Sequence, residues 1–185
     1  YIWLFRGTPV LIQLIIIYTG LPQLGIRLSV IESAIIGLAL NEGAYLAEVI
    51  RSGIMSVDKG QTDASRAVGM TWRQRMWMVI LPQATRTIIP PLGNQFNGML
   101  KTTSLASVIS MEELMRNAQM LAQIEFRVLE AYTVAAVWYL VLVSIWGLIQ
   151  VRIEAHYEKP FGPAAAVSPD AKKDIEKILR NSGQA

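Results

Sequence analysis

Cysteine is absent from all 185 residues, so disulfides, thiolate metal sites and cysteine nucleophiles are excluded. Histidine is nearly absent: His156 alone cannot build a multi-histidine metal site. There is no G-x-x-x-x-G-K-[ST] loop to cradle nucleotide phosphates, and the glycine pair of GLPQLG at 20–25 lies in apolar sequence with no following lysine. No G-x-S-x-G nucleophile elbow is present. Charge is also scarce, at 17% of residues against about 25% in soluble domains. Hydrophobic residues make up 52%, and the net charge is +3. A small positive excess spread over so much apolar sequence suits anionic lipid and cytoplasmic loops better than nucleic acid. The chain opens on Tyr1-Ile2-Trp3 with no signal-peptide pattern, and an N-terminal part is expected to be missing.

What is present is long apolar sequence. Gly7 to Ile26 runs 20 residues without a charge, long enough at about 1.5 Å per residue to cross a bilayer core. Gly20 and Pro22 predict that this helix stops near Tyr18 to Leu21. A second span is expected over Val30 to Ile50, where Glu32 and Glu48 lie near the ends and Asn41 and Glu42 are central. Gly37 and Gly43 would permit close helix contact there. Thr87 to Ser110 is the least regular span, interrupted by Pro90, Pro91, Gly93 and Gly98. Its polar residues, Asn94, Gln95, Asn97, Lys101, Thr103 and Ser104 among them, are incompatible with a lipid-facing helix and point to a water-filled path or a subunit interface. Ala131 to Val151, 21 residues without a charge, is the clearest transmembrane helix. Between the last two spans, Met111 to Gln119 reads as a small amphipathic helix with Glu112 and Glu113 on its solvated face. The expected spans are therefore near 8–25, 30–50, 87–110 and 129–151. In the tail, 156–185, Pro160 to Pro169 is a linker by composition and Asp170 to Arg180 a possible short helix.

The polar interval Val57 to Pro82 separates the second and third spans. Gln61 to Val68 predicts a helix, Gly69 its left-handed stop, and Thr71 the start of another, with Gln74 completing a capping box. Pro82 is expected to end or kink that second helix near Leu81. Six Lys or Arg lie between Arg51 and Arg86, against two between Met111 and Arg127 and one between Gly25 and Leu28. The positive-inside rule thus places this helix–Gly–helix knob in the cytoplasm. The fold class expected is all-α, a polytopic helical membrane protein with a cytoplasmic coupling loop.

The interval 57–82 resembles the coupling loop of bacterial ABC-transporter permeases, whose pattern is E-A-A, three residues, Gly, nine residues and I-x-L-P. Asp63, Ala64 and Ser65 stand at the first block, Gly69 at the required spacing, and Val79-Ile80-Leu81-Pro82 at the last. FRGTP at 5–9, GAYLAE at 43–48, PPLGNQ at 90–95 and TSLASVIS at 103–110 are similar to the polar amino acid uptake subfamily. The resemblance runs from about Phe5 to about Arg152. It implies a permease domain over 1–155 in the bacterial cytoplasmic membrane, with at least one further span in the missing N-terminal part. It also implies a second permease subunit, identical or paired, a separate ATPase docking on 57–82, and an extracytoplasmic solute-binding protein. Asp63, Ala64, Ser65, Gly69 and Pro82 are then the ATPase-coupling residues, with no catalytic residue, metal or cofactor in this chain.

For the solute, the path residues expected are Glu42, Asn94, Gln95, Asn97, Lys101, Thr103 and Ser104, because together they offer donors for a carboxylate and acceptors for an ammonium. Asp63 has two available partners, Arg66 one turn on or a basic group of the ATPase. Three other readings compete. One is a permease of the same architecture for another small solute. The second is a membrane-embedded enzyme, for which only Glu42 with Lys101 is available. The third is a soluble helix-turn-helix regulator using Arg73 and Arg75, which the uncharged segments at 7–26 and 131–151 oppose.

Overall fold

The computed structural model describes residues 1–158, and the elements assigned to them are all helical. The expected linker at 160–169 and short helix at 170–180 lie outside the described residues. Helix α1 spans Ile2–Gly7 and α2 spans Val10–Ile15, separated by extended backbone at Thr8 and Pro9. Helix α2 continues through a π-helical turn, Ile16–Gly20, and a 3-10 turn, Leu21–Leu24. The helix therefore does not stop near Tyr18 to Leu21. Gly20 keeps right-handed helical backbone, and Pro22 sits at the start of the 3-10 turn, where an amide is not needed. Gly25 ends the run at φ 84°.

Helix α3, Val30–Met55, starts at a capping box: Ser29 Oγ accepts from the Glu32 amide, and the Glu32 carboxylate accepts from the Ser29 amide at 2.7 Å. It runs five residues past the expected Ile50 end. Its small residues set the packing. A Cβ at Gly37 would lie 2.7 Å from Leu14, and one at Gly43 would lie 2.9 Å from the Tyr1 hydroxyl. A Cβ at Gly53 would lie 2.2 Å from Ile88, so only glycine admits the α3–α6 crossing at this point.

Helix α4 spans Lys59–Ala67 and α5 spans Trp72–Arg75; a π-helical turn, Met76–Ile80, then joins α5 to α6, Leu81–Thr102. Here Pro82 neither ends nor kinks a separate helix. It occupies the first turn of α6, and the preceding π turn, closed by the Leu81 amide on Met76 O, makes room for it. Likewise α6 runs unbroken through Pro90 and Pro91, because its buried face of Ala84, Ile88 and Gly93 is packed against α3 and α8. The region expected as one span from Thr87 is thus a helix begun at Leu81 that tightens to a 3-10 turn at Thr103–Ile109.

Helix α7 spans Leu114–Glu125 and α8 spans Val128–Glu158. Glu113 is the N-cap of α7, accepting from the Met115 and Arg116 amides, rather than part of a solvated helix face. Leu14, Ala34, Leu38, Ala106 and Ile109 form a core joining α2, α3 and the 3-10 turn. Among the described residues, two helices are long and apolar enough to cross a membrane, Val30–Met55 and Val128–Tyr157. Most of the α8 surface, including Val134, Leu140, Leu148 and Val151, is apolar and exposed.

Candidate functional site

The candidate residues fall in two regions, an exposed elbow and a polar level inside the helices. The elbow begins at Asp58, whose carboxylate caps α4 by accepting from the Gly60 amide at 2.7 Å. At the other end of α4, the Gly69 amide donates to Arg66 O at 2.9 Å and the Met70 amide to Ser65 O at 3.1 Å. This pair of bonds is a Schellman turn, with Gly69 at φ 79° where a side chain would be strained. Thr71 and Gln74 then form the expected capping box, the Thr71 amide donating to Gln74 Oε1 at 2.9 Å.

The expected coupling residues do not share one surface. Asp63, Ala64, Gly69 and Pro82 are exposed, whereas Ser65 is 5% exposed and its hydroxyl donates to Thr62 O. Ser65 therefore supports the elbow from within instead of presenting a small side chain outward. Asp63 and Arg66 form an exposed ion pair at 3.5 Å. Sequence reasoning missed Val68 and Trp72, which flank the glycine and are 74% and 65% exposed. An apolar pair astride a predicted helix stop was the available signal.

Of the seven expected path residues, hydrogen bonding brings together Glu42 and Gln95. Gln95 Nε2 on α6 donates to Glu42 Oε2 on α3 at 3.2 Å, and both are partly buried. One turn further along each helix, Leu38 and Met99 line a cavity of about 350 Å³ that also touches Thr103 and Glu113. Among the described residues, Asn97 Oδ1 is buried without a hydrogen-bond partner, and Lys101 is exposed. Asn94 lies on the α8 side, accepting from Gln150 at 3.4 Å. Thr103 and Ser104 turn their hydroxyls back to Leu100 O and Lys101 O. Among the described residues, no ion pair joins Glu42 to Lys101, the pair that a membrane-embedded enzyme would need.

Three further polar contacts were not foreseen from the sequence. Arg6 lies over the Tyr45 ring at 5.3 Å and 3.9 Å from Glu48, which also pairs with Arg51. Tyr139 on α8 donates to the Glu113 carboxylate at 3.2 Å. Gln13 and Asn41 are 8% and 9% exposed and hydrogen-bond each other at 3.1 Å.

Residues 1–159 match the family model described as binding-protein-dependent transport system inner membrane component. A probable amino-acid ABC transporter permease of Vibrio harveyi is 44% identical over 164 residues, covering 87% of this chain and 74% of that protein. An arginine transport system permease protein of Corynebacterium glutamicum is 43% identical over 174 residues, and this chain spans 55% of its length. The crystal structure of an amino acid ABC transporter with histidines superposes with a TM-score of 0.80 at 40% identity, covering 84% of this chain and 73% of that one.

Proposed function

The chain belongs to the family of binding-protein-dependent transport system inner membrane components, and from that premise we propose that it is the permease subunit through which a polar amino acid enters the cell. It is membrane-embedded and hydrolyses no ATP itself; a separate subunit supplies that activity. The observation that carries the proposal is the exposed elbow, a glycine-pinned helix pair between the long apolar α3 and the polar-interrupted α6.

The elbow docks on the ATPase. Asp63, Ala64 and the apolar side chains Val68 and Trp72 form its contact face, and Ser65 and Gly69 fix its shape. Basic residues concentrated between Arg51 and Arg86 put it in the cytoplasm. The chain then crosses the membrane four times and returns to the cytoplasmic side. Exposed Asn94 and Lys101 on α6 face a water-filled path or a second permease, identical or paired, since lipid would leave their polar groups unmet. Glu42 accepts the solute's ammonium, while Gln95 and Lys101 offer donors to its carboxylate. A solute-binding protein delivers the amino acid from outside.

The test is reconstitution of the full-length chain with the ATPase and binding protein encoded beside it. ATP hydrolysis is followed with a panel of polar amino acids, beginning with L-arginine because one relative is named for it. Stimulation by one of them supports both class and solute. A stable complex that no amino acid stimulates leaves a permease for another solute. Absence of any complex with the ATPase would sink the proposal.

A further inference from the structure

At the break between α1 and α2, side chains donate to three of the backbone carbonyls, Leu4 O, Phe5 O and Thr8 O. Pro9 has no N–H to donate to Phe5 O, four residues back. The Ile12 and Gln13 amides both turn to Pro9 O, which strips Thr8 O of its helical partner. In their place, Thr8 Oγ1 donates to Leu4 O at 2.9 Å, and Gln13 Nε2 donates to Phe5 O at 2.9 Å and Thr8 O at 3.0 Å. Asn41, on α3, donates to Phe5 O at 2.9 Å and to Gln13 Oε1 at 3.1 Å. A break in water would need none of this, because solvent would satisfy the carbonyls.

Asn41 is also the immediate neighbour of Glu42. Successive side chains on a helix point about 100° apart, so α3 reaches the α1–α2 break with one residue and α6 with the next. We propose that Asn41 and Gln13 are positioning residues for the solute path: their amide pair fixes α3 against the break and so holds Glu42 towards Gln95. This inference rests on the reading of Glu42 and Gln95 as path residues. It makes the break a hinge whose movement and the orientation of Glu42 are linked, since α1 cannot swing without exchanging the bonds on Phe5 O.

A chain without cysteine permits a direct test. Glu42→Cys is introduced into the full-length protein assembled with its ATPase subunit in lipid vesicles. The reaction of that thiol with a charged, water-borne methanethiosulfonate is timed, alone and combined with Asn41→Ala or Gln13→Met. A thiol placed by Gln123→Cys, on the exposed side of α7, is the control. The expected result is a change of about tenfold or more at position 42 with either amide variant, while the control stays within about twofold. A reactive thiol at 42 that ignores both variants overturns the positioning role and leaves the path standing. Equal changes at 42 and at the control mean general loosening, and overturn it as well. A thiol at 42 that never reacts overturns the path reading and this inference together. Should Asn41→Ala fail to accumulate, Gln13→Met decides, because it removes the bonds to Phe5 O and Thr8 O from the other side.

Discussion

The Gly69 elbow and the Thr8–Pro9 break meet the same need, the end of one helix and the start of another, by opposite means. At the elbow the backbone serves itself: Gly69 and Met70 amides close on Arg66 and Ser65 carbonyls, and the surrounding side chains are mostly exposed. At the break the backbone cannot, because Pro9 lacks the donor, and Gln13 and Asn41 supply it from buried positions. In water a break needs one residue that accepts the required φ. Where the carbonyls are partly buried, donors are brought in from elsewhere, here from a residue 36 positions away.

If the elbow depends on one backbone conformation, Gly69→Leu has the largest effect on function. A side chain at φ 79° costs about 1–2 kcal/mol, and the exposed elbow reshapes to avoid it. Solute carried per ATP hydrolysed in vesicles falls by at least about tenfold, equivalent to about 1.4 kcal/mol, while the chain remains in the membrane. Coupling equal to that of the unaltered protein would remove the elbow from the mechanism. If the break depends on imported donors, Asn41→Leu destabilises the fold. It leaves Phe5 O with one donor and Gln13 Oε1 with none. A loss of about 1–3 kcal/mol is expected, read from unfolding in detergent. No change would mean that water reaches the break.

The same contrast explains what was legible in the sequence. The elbow was readable because its determinants are local: a helix-compatible run, a glycine and a Thr-x-x-Gln box all lie within the 14 residues from Gln61 to Gln74. The inward turn of Ser65 was not, since exposure depends on how α4 settles against the π turn that follows α5. Pro90 and Pro91 read as interruptions because proline removes a helical bond, but the buried face of α6 holds the helix through them. Glu42 and Gln95 each stood out as polar residues in apolar sequence, and their pairing across 53 positions required the α3–α6 crossing that Gly53 permits. Gln13 and Asn41 look like ordinary polar residues until Phe5 O is seen to lack an amide.

A double substitution sharpens the comparison at the break. Pro9→Ala returns an N–H to the position that lost one. Combined with Asn41→Leu, it lets Phe5 O regain a helical donor once Thr8 turns from its extended backbone, so the double variant should be less destabilised than the two single losses added together. The non-additivity expected for residues sharing one acceptor is about 0.5–1 kcal/mol, measured by a double-mutant cycle in detergent. Additive losses would show that the missing amide is not what Asn41 makes good.

The smallest effect on stability belongs to Asp63→Asn. The ion pair with Arg66 is exposed on both sides, and a pair of this kind on a helix contributes about 0.2–0.5 kcal/mol. Salt screens it further. Unfolding in detergent should therefore barely change, by less than about 0.5 kcal/mol. Function separates the two partners that Asp63 could have. If its carboxylate serves only Arg66, ATP-driven uptake is untouched as well. If it meets a basic group on the ATPase, uptake falls several-fold with stability unchanged, and Asp63→Glu, which keeps the carboxylate, retains it. A loss of both in parallel would place Asp63 in the fold of the elbow rather than at its docking face, and would erase the distinction between an elbow that tolerates surface change and a break that does not.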